Sequence, residues 1–152
     1  MTETSERRDY TRDQILKLLD ERQEMLVLFC ELAGVVPYQI EEQERIREPV
    51  NLKMRELCQK MIDYIAAGHF AIYDRLSNGG ERRQEVLDAA AIVFSGIEDT
   101  TDIAIAFNDK YDDHDHILDL TNLPKDLSIL GEAMSNRADY EDRLIDALVR
   151  SQ

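Results

Sequence analysis

The 152-residue chain has no tryptophan, two cysteines, three prolines and six glycines. With so few Gly and Pro, there is little to interrupt regular structure, and long helices become the default expectation. Two cysteines exclude a disulfide scaffold. Cys30 and Cys58 also lie in none of the spacings of a zinc or redox motif. Each falls in an apolar, helical-looking run, where a packed, reduced thiol in a cytoplasmic protein is expected. Long apolar runs are missing too: no segment approaches the roughly 18 residues of a membrane span. The first fourteen residues, MTETSERRDYTRDQ, hold no apolar stretch of the kind a secretory signal needs.

Positive charge is the other scarcity. Lys plus Arg number 18 against 32 Asp plus Glu, for a net charge of −14 and a pI near 4.5. Such a field repels phosphate backbones and anionic membranes. Direct nucleic-acid or membrane binding is therefore not expected, and a basic protein partner is. The imbalance is uneven. Residues 1–87 carry 13 basic and 17 acidic residues, net −4, whereas residues 88–152 carry 5 and 15, net −10.

What remains reads as one all-α domain over residues 1–152, with a flexible N-terminus over 1–11. A first helical run covers about residues 11 to 33, with Ile15, Leu18, Leu19, Met25, Leu26, Phe29 and Leu32 on one face. It is expected to stop near Gly34, ahead of Pro37. Residues 38–48 are polar, a loop or a short exposed helix. The second run goes from about 50 to Ser77 and closes at Asn78-Gly79-Gly80. The third spans about 81–110 on a stripe of Leu87, Ala90, Phe94, Ile97, Thr101, Ala104 and Tyr111. The fourth starts at the N-cap candidates Thr121 or Asn122 and carries Leu123, Leu127, Leu130, Met134, Ala138, Ile145 and Leu148. No clean period-two alternation is present. The expected architecture is an antiparallel up-and-down four-helix bundle, with a short extra helix or loop between the first two long helices.

The second run carries the main candidate surface. With Met61 at zero and about 100° per residue, Leu57, Ile65, Gly68, Ile72 and Leu76 form the buried arc. Cys58, His69, Ile62 and Tyr73 widen it. Glu56, Gln59, Asp63, Phe70 and Asp74 fall opposite, so Phe70 points away from the core amid carboxylates. Small residues beside it, Ala66, Ala67, Gly68 and Ala71, would let a partner approach closely. Either a neighbouring segment such as 38–48 covers Phe70, or Phe70 anchors a partner, with acids to pair its Arg or Lys.

Chemistry is sparse. A di-metal bundle needs Glu-x-x-His pairs, and none is present. Asp112-Asp113-His114-Asp115-His116 is ligand-rich but lacks metal-site spacing and reads as an acidic loop. His69 is followed by Phe70-Ala71-Ile72-Tyr73, which lacks the Lys and Gly that come after a phosphotransfer histidine. No phosphate loop or nucleophile motif appears. No catalytic residue, cofactor or metal is expected.

The tract from Met61 to Leu76, MIDYIAAGHFAIYDRL, resembles the (L/V/M)-(V/I)-D-Y-x-(S/A)-A-G-H-F-x-(I/V)-Y-(E/D) core of the regulator of sigma D (Rsd/AlgQ) family. Met25–Leu32, Phe107–Asp112, Asp126–Ala133 and Tyr140–Ile145 resemble further family stretches, so the likeness covers nearly the whole chain. It implies a bacterial, cytoplasmic anti-sigma factor that binds region four of the primary sigma factor. Sequestering that region from core polymerase and the promoter −35 element would favour alternative sigma factors. The family's key contacts match Asp63 and Phe70; the wheel's outer face adds Glu56, Gln59 and Asp74, with Ala67 beside them, as candidate partner-binding residues. A monomer or weak dimer is expected. An acidic adaptor for another basic regulator, and a metal-dependent or phosphorylated signalling domain, are the alternative classes.

Overall fold

A computed structural model describes residues 3–41, 47–77, 79, 81–112 and 119–150. Four long helices fill it, and no strand occurs among the described residues. They are α1 (Glu3–Glu41), α2 (Arg47–Gly68), α3 (Gln84–Tyr111) and α4 (Leu123–Arg150). The second helix runs on through a π-helical turn (His69–Tyr73) into a last short α-helix (Asp74–Ser77). Gly79 comes next at φ +78°, a left-handed conformation that glycine adopts without a steric penalty.

Cross-helix contacts fix the directions. Lys53 of α2 meets Glu31 of α1, and Lys60, two turns on, meets Glu21 and Glu24 further back. Arg83, just before α3, donates to the Leu148 carbonyl, whereas Lys110 at the far end of α3 meets Asp126. Arg22 reaches the Ala138 carbonyl while Phe29 lies against Gly131. Each pair is antiparallel, and the chain forms the expected up-and-down bundle.

The first helix differs from expectation at both ends. It begins at Glu3 rather than near residue 11, so residues 3–11 of the segment expected to be flexible are helical. Glu and Arg are good helix formers, and the burial of Thr11 extends the packed stripe below Ile15. At its other end the helix passes Gly34 and Pro37 to Glu41, so residues 38–41 continue it instead of forming a separate element. The rest of the polar linker, 42–46, lies outside the described residues, as do residues 113–118 with His114 and His116. Cys58 is buried as expected, but Cys30 is exposed, because α1 turns it away from the core.

One continuous core runs through the bundle, from Leu18, Met25 and Leu32 through Met54 and Met61 to Leu130 and Leu148. In α3 the expected Ala90, Ile97, Ala104 and Tyr111 are buried, whereas the expected Leu87, Phe94 and Thr101 are half-buried and the residues just before them, Val86, Val93 and Thr100, take the inward places. A second surprise sits at mid-height. Arg137 is 1% exposed and Glu141 is fully buried, although neither belongs to the apolar stripe expected for α4. Arg137 Nε donates to Glu141 Oε2 at 3.2 Å, and Nη1 donates to Thr101 and Thr100 of α3 at 2.7 and 3.3 Å. Arg22 of α1 reaches Glu141 at 3.4 Å and Asp142 at 2.9 Å. The Tyr64 hydroxyl of α2 donates to Glu141 Oε1. All four helices therefore meet on one charge cluster.

Removing one partner of a buried ion pair leaves an uncompensated charge. Arg137→Ala is therefore expected to cost about 3–5 kcal/mol, read by urea unfolding. Burial pushes the Glu141 carboxyl above its ordinary range, outweighing the pull of Arg137. Asp126 goes the other way: burial raises it, but hydrogen bonds from Lys110 and Tyr111 outweigh that and hold it low. A lowered folded-state value contributes stability above the ordinary carboxylate range, and that stability is lost as pH falls through the lowered value. Urea midpoints measured from about pH 6 downward should fall less in Asp126→Asn than in the unsubstituted protein.

Candidate functional site

The outer face of α2 is set by how its inner face is held. The buried residues are Val50, Met54, Leu57, Cys58, Met61, Tyr64 and Ala67, continuing to Ala71 and Ile72 in the π turn. This arc is turned toward Tyr64 and Ala67, and away from Ile62 and His69, relative to a wheel drawn on hydrophobicity. Ile62 is 47% exposed and His69 is exposed, so neither belongs to the core as expected. Ala67 is buried and does not line the outer face. The cause is the charge cluster. Tyr64 is drawn inward by its bond to Glu141, and that bond fixes the rotation of the whole helix.

The π turn then changes the phase. A π turn accommodates one extra residue, so the residues beyond it are set back by up to about 100°. In an unbroken α-helix Tyr73 would lie beside Ile62, on the outside. Instead it is half-buried, edge-on to Phe94 of α3 at 6.0 Å, with the Arg137 guanidinium 5.9 Å from its ring centre. The same guanidinium stands 5.4 Å from the Tyr64 ring. Gly68 makes room: a Cβ there would meet the Tyr73 ring at 3.3 Å and Glu141 at 3.6 Å. The small residue and the turn together let Tyr73 close over the cluster. Burial raises the phenol pKa values of Tyr64 and Tyr73 well above the ordinary value, so both stay protonated.

On the other side of the same turn stands Phe70, 63% exposed, with His69 edge-on to it at 5.3 Å. Asp63 sits two helical turns earlier, about 10 Å along the axis. Its side chain is 43% exposed, and it accepts a 3.3 Å hydrogen bond from Gln59. Lys60 is 3.9 Å from Asp63 but is engaged more closely by Glu24 and Glu21, at 2.7 and 3.0 Å. Glu56, Gln59 and Asp74 are exposed. The structure thus brings Glu56, Gln59, Asp63, Phe70 and Asp74 onto one outward face, with Ile62, Ala66 and His69 beside them. The result is an acidic strip around an aromatic knob, suited to a basic surface that offers an apolar socket. No group of three or more metal-ligating side chains is brought together among the described residues.

Sequence reasoning missed Ile62 and His69 as members of this face. The available signal was the tyrosine at position 64, whose hydroxyl needs a partner when buried.

The family described as "Regulator of RNA polymerase sigma(70) subunit, Rsd/AlgQ" matches residues 1–149. The chain is 33% identical over 130 residues to the regulator of sigma D of Yersinia pseudotuberculosis, covering 84% of this chain and 74% of that protein. It is 35% identical over 134 residues to the regulator of sigma D of Salmonella newport, covering 84% and 76%. No solved structure matches the chain significantly.

The two tyrosines should respond differently to loss of their hydroxyls. Tyr64→Phe strips Glu141 of a donor and is expected to cost about 1–3 kcal/mol. The Tyr73 hydroxyl is buried without a hydrogen-bond partner. Tyr73→Phe removes that uncompensated group and should therefore raise stability, by about 1 kcal/mol or more, in the same urea unfolding measurement.

Proposed function

Because the chain belongs to the Rsd/AlgQ family of regulators of the RNA polymerase sigma-70 subunit, we propose that it is an anti-sigma factor acting through the outer face of α2. Its partner on this reading is region four of the primary sigma factor, a helix-turn-helix domain with a basic surface. Phe70 enters an apolar socket of that domain. Asp63 pairs with an Arg or Lys that would otherwise meet DNA phosphate or core polymerase. Occupation of that surface takes the primary sigma factor out of competition and favours alternative sigma factors. The protein then works in the cytoplasm and needs no catalysis.

The observation that carries this reading is Phe70: a large aromatic 63% exposed, amid carboxylates, within the π turn. An exposed aromatic contributes little to the core, and set among carboxylates it suits an anchor for a basic partner. The net charge of −14 supports rapid, salt-sensitive encounter with a basic domain.

Phe70→Ala and Asp63→Ala are each expected to weaken binding of isolated region four by about 2 kcal/mol, roughly 30-fold. Both side chains lie outside the core, so the melting temperature should hardly move. Calorimetric titration at two salt concentrations reads both effects. Unchanged affinity in both variants would reject the assigned face.

A further inference from the structure

The groove between α3 and α4 shares no residue with the α2 face. It encloses about 330 Å³. Its floor is made of small residues, Gly96 and Thr100 from α3 and Ala133 from α4. Tyr140 closes one end: its ring lies 2.5 Å from where a Cβ on Gly96 would stand, so only glycine lets it cross. Ile103 and Ile129 border the other end, and Ile129 is 44% exposed. Asp99 and Glu132 line it from opposite helices, both exposed.

The charge around this groove is unbalanced to an unusual degree. Across all 28 residues of α3 the one cation is Lys110, at its last turn, where it pairs with Asp126. Between residues 126 and 142 of α4 the one cation is Arg137, which is 1% exposed and turned into the core. Over the middle of this hairpin Glu98, Asp99, Asp102 and Glu132 are exposed, and no Lys or Arg stands within four residues of any of them on its own helix. By contrast, acids of the α1–α2 hairpin are neutralised by Lys53 and Lys60.

We propose that the α3–α4 groove is a second docking site, which takes a basic amphipathic helix of another protein. A helix laid in a groove needs a floor of small residues for close approach, apolar contacts for anchors at i, i+3 or i+4, and rims of charge opposite to its flanks. All three are present. Aliphatic anchors of the guest meet Ile103, Ile129 and the Tyr140 ring, and its Lys or Arg residues reach Asp99 on one side and Glu132 on the other. The occupant is a polypeptide helix and not a small cation, because the groove joins apolar ends to charged rims along the helix axes. The α2 face stays free while the groove is filled, so the protein can hold two partners at once.

The probe is a 16-residue amidated helix of Leu, Ala and Lys, titrated into the full-length protein by calorimetry and tracked by amide shifts. A second peptide, with Glu in place of Lys, is the control. The expected result is 1:1 binding of the Lys peptide alone, with shifts concentrated at residues 96–103 and 129–140. Asp99→Lys/Glu132→Lys should weaken it at least 30-fold, and Phe70→Ala should leave it within twofold. Glu98→Lys/Asp139→Lys makes the same change of net charge outside the groove and should cost less than fivefold. Equal losses from the two charge-reversed pairs would reduce the effect to the long-range field and overturn the proposal. Shifts centred on α2, or no binding at low salt, would overturn it as well. The site stands or falls independently of the sigma-factor reading, which Phe70→Ala addresses separately.

Discussion

The buried pair of Arg137 and Glu141 holds the rest of the molecule in register. A charge taken out of water must be met by opposite charge and by hydrogen bonds. Here the demand is met by Thr100 and Thr101 of α3, Arg22 of α1 and Tyr64 of α2. Apolar contacts alone allow a helix to roll or slide at small cost, because one leucine can replace another in a groove. A guanidinium and a carboxylate with named donors and acceptors do not. The cluster selects one rotation for each helix, at the height where α2 departs from α-helical geometry.

That selection reaches the surface. Tyr64 turns α2 so that Ala67 faces in and Ile62 and His69 face out. Arg137, stacked near both Tyr64 and Tyr73, offers the second ring a place that only the π turn lets it reach. Phe70 is displayed on the opposite side of the same five residues. The exposed aromatic and the buried guanidinium are two ends of one arrangement, although Arg137 is almost wholly buried.

Most of the architecture was legible in the amino-acid sequence. Scarce glycine and proline left four long periodic runs, and the structure holds four long helices at nearly the same places. The outward positions of Phe70 and Asp63 were legible too, because they stand opposite Met61 and Leu57 on any wheel. Three features were not. Arg137 and Glu141 are charged residues spaced four apart on α4, a pattern identical to that of a solvent-exposed pair. Ile62 and His69 were assigned inward because a wheel weighted by hydrophobicity gives no credit to a tyrosine that is buried by its hydroxyl. A constant 100° per residue cannot register a π turn, which leaves no compositional trace. At the far end of α1, Gly34 and Pro37 read as stops, yet the helix continues to Glu41.

The bareness of the α3–α4 hairpin also shapes how the molecule moves before it touches anything. On the α1–α2 side Lys53 and Lys60 offset acids at mid-height, whereas α3 carries no cation before Lys110 and the one cation between residues 126 and 142 of α4, Arg137, is buried. Uncompensated acids occupy the middle of the opposite hairpin. The separation gives the bundle a permanent electric dipole on top of its net charge. In the field of a cationic surface such a body experiences a torque, so rotational search is biased before contact. Orientation becomes a property of the whole charge distribution, and it persists when any single side chain is changed.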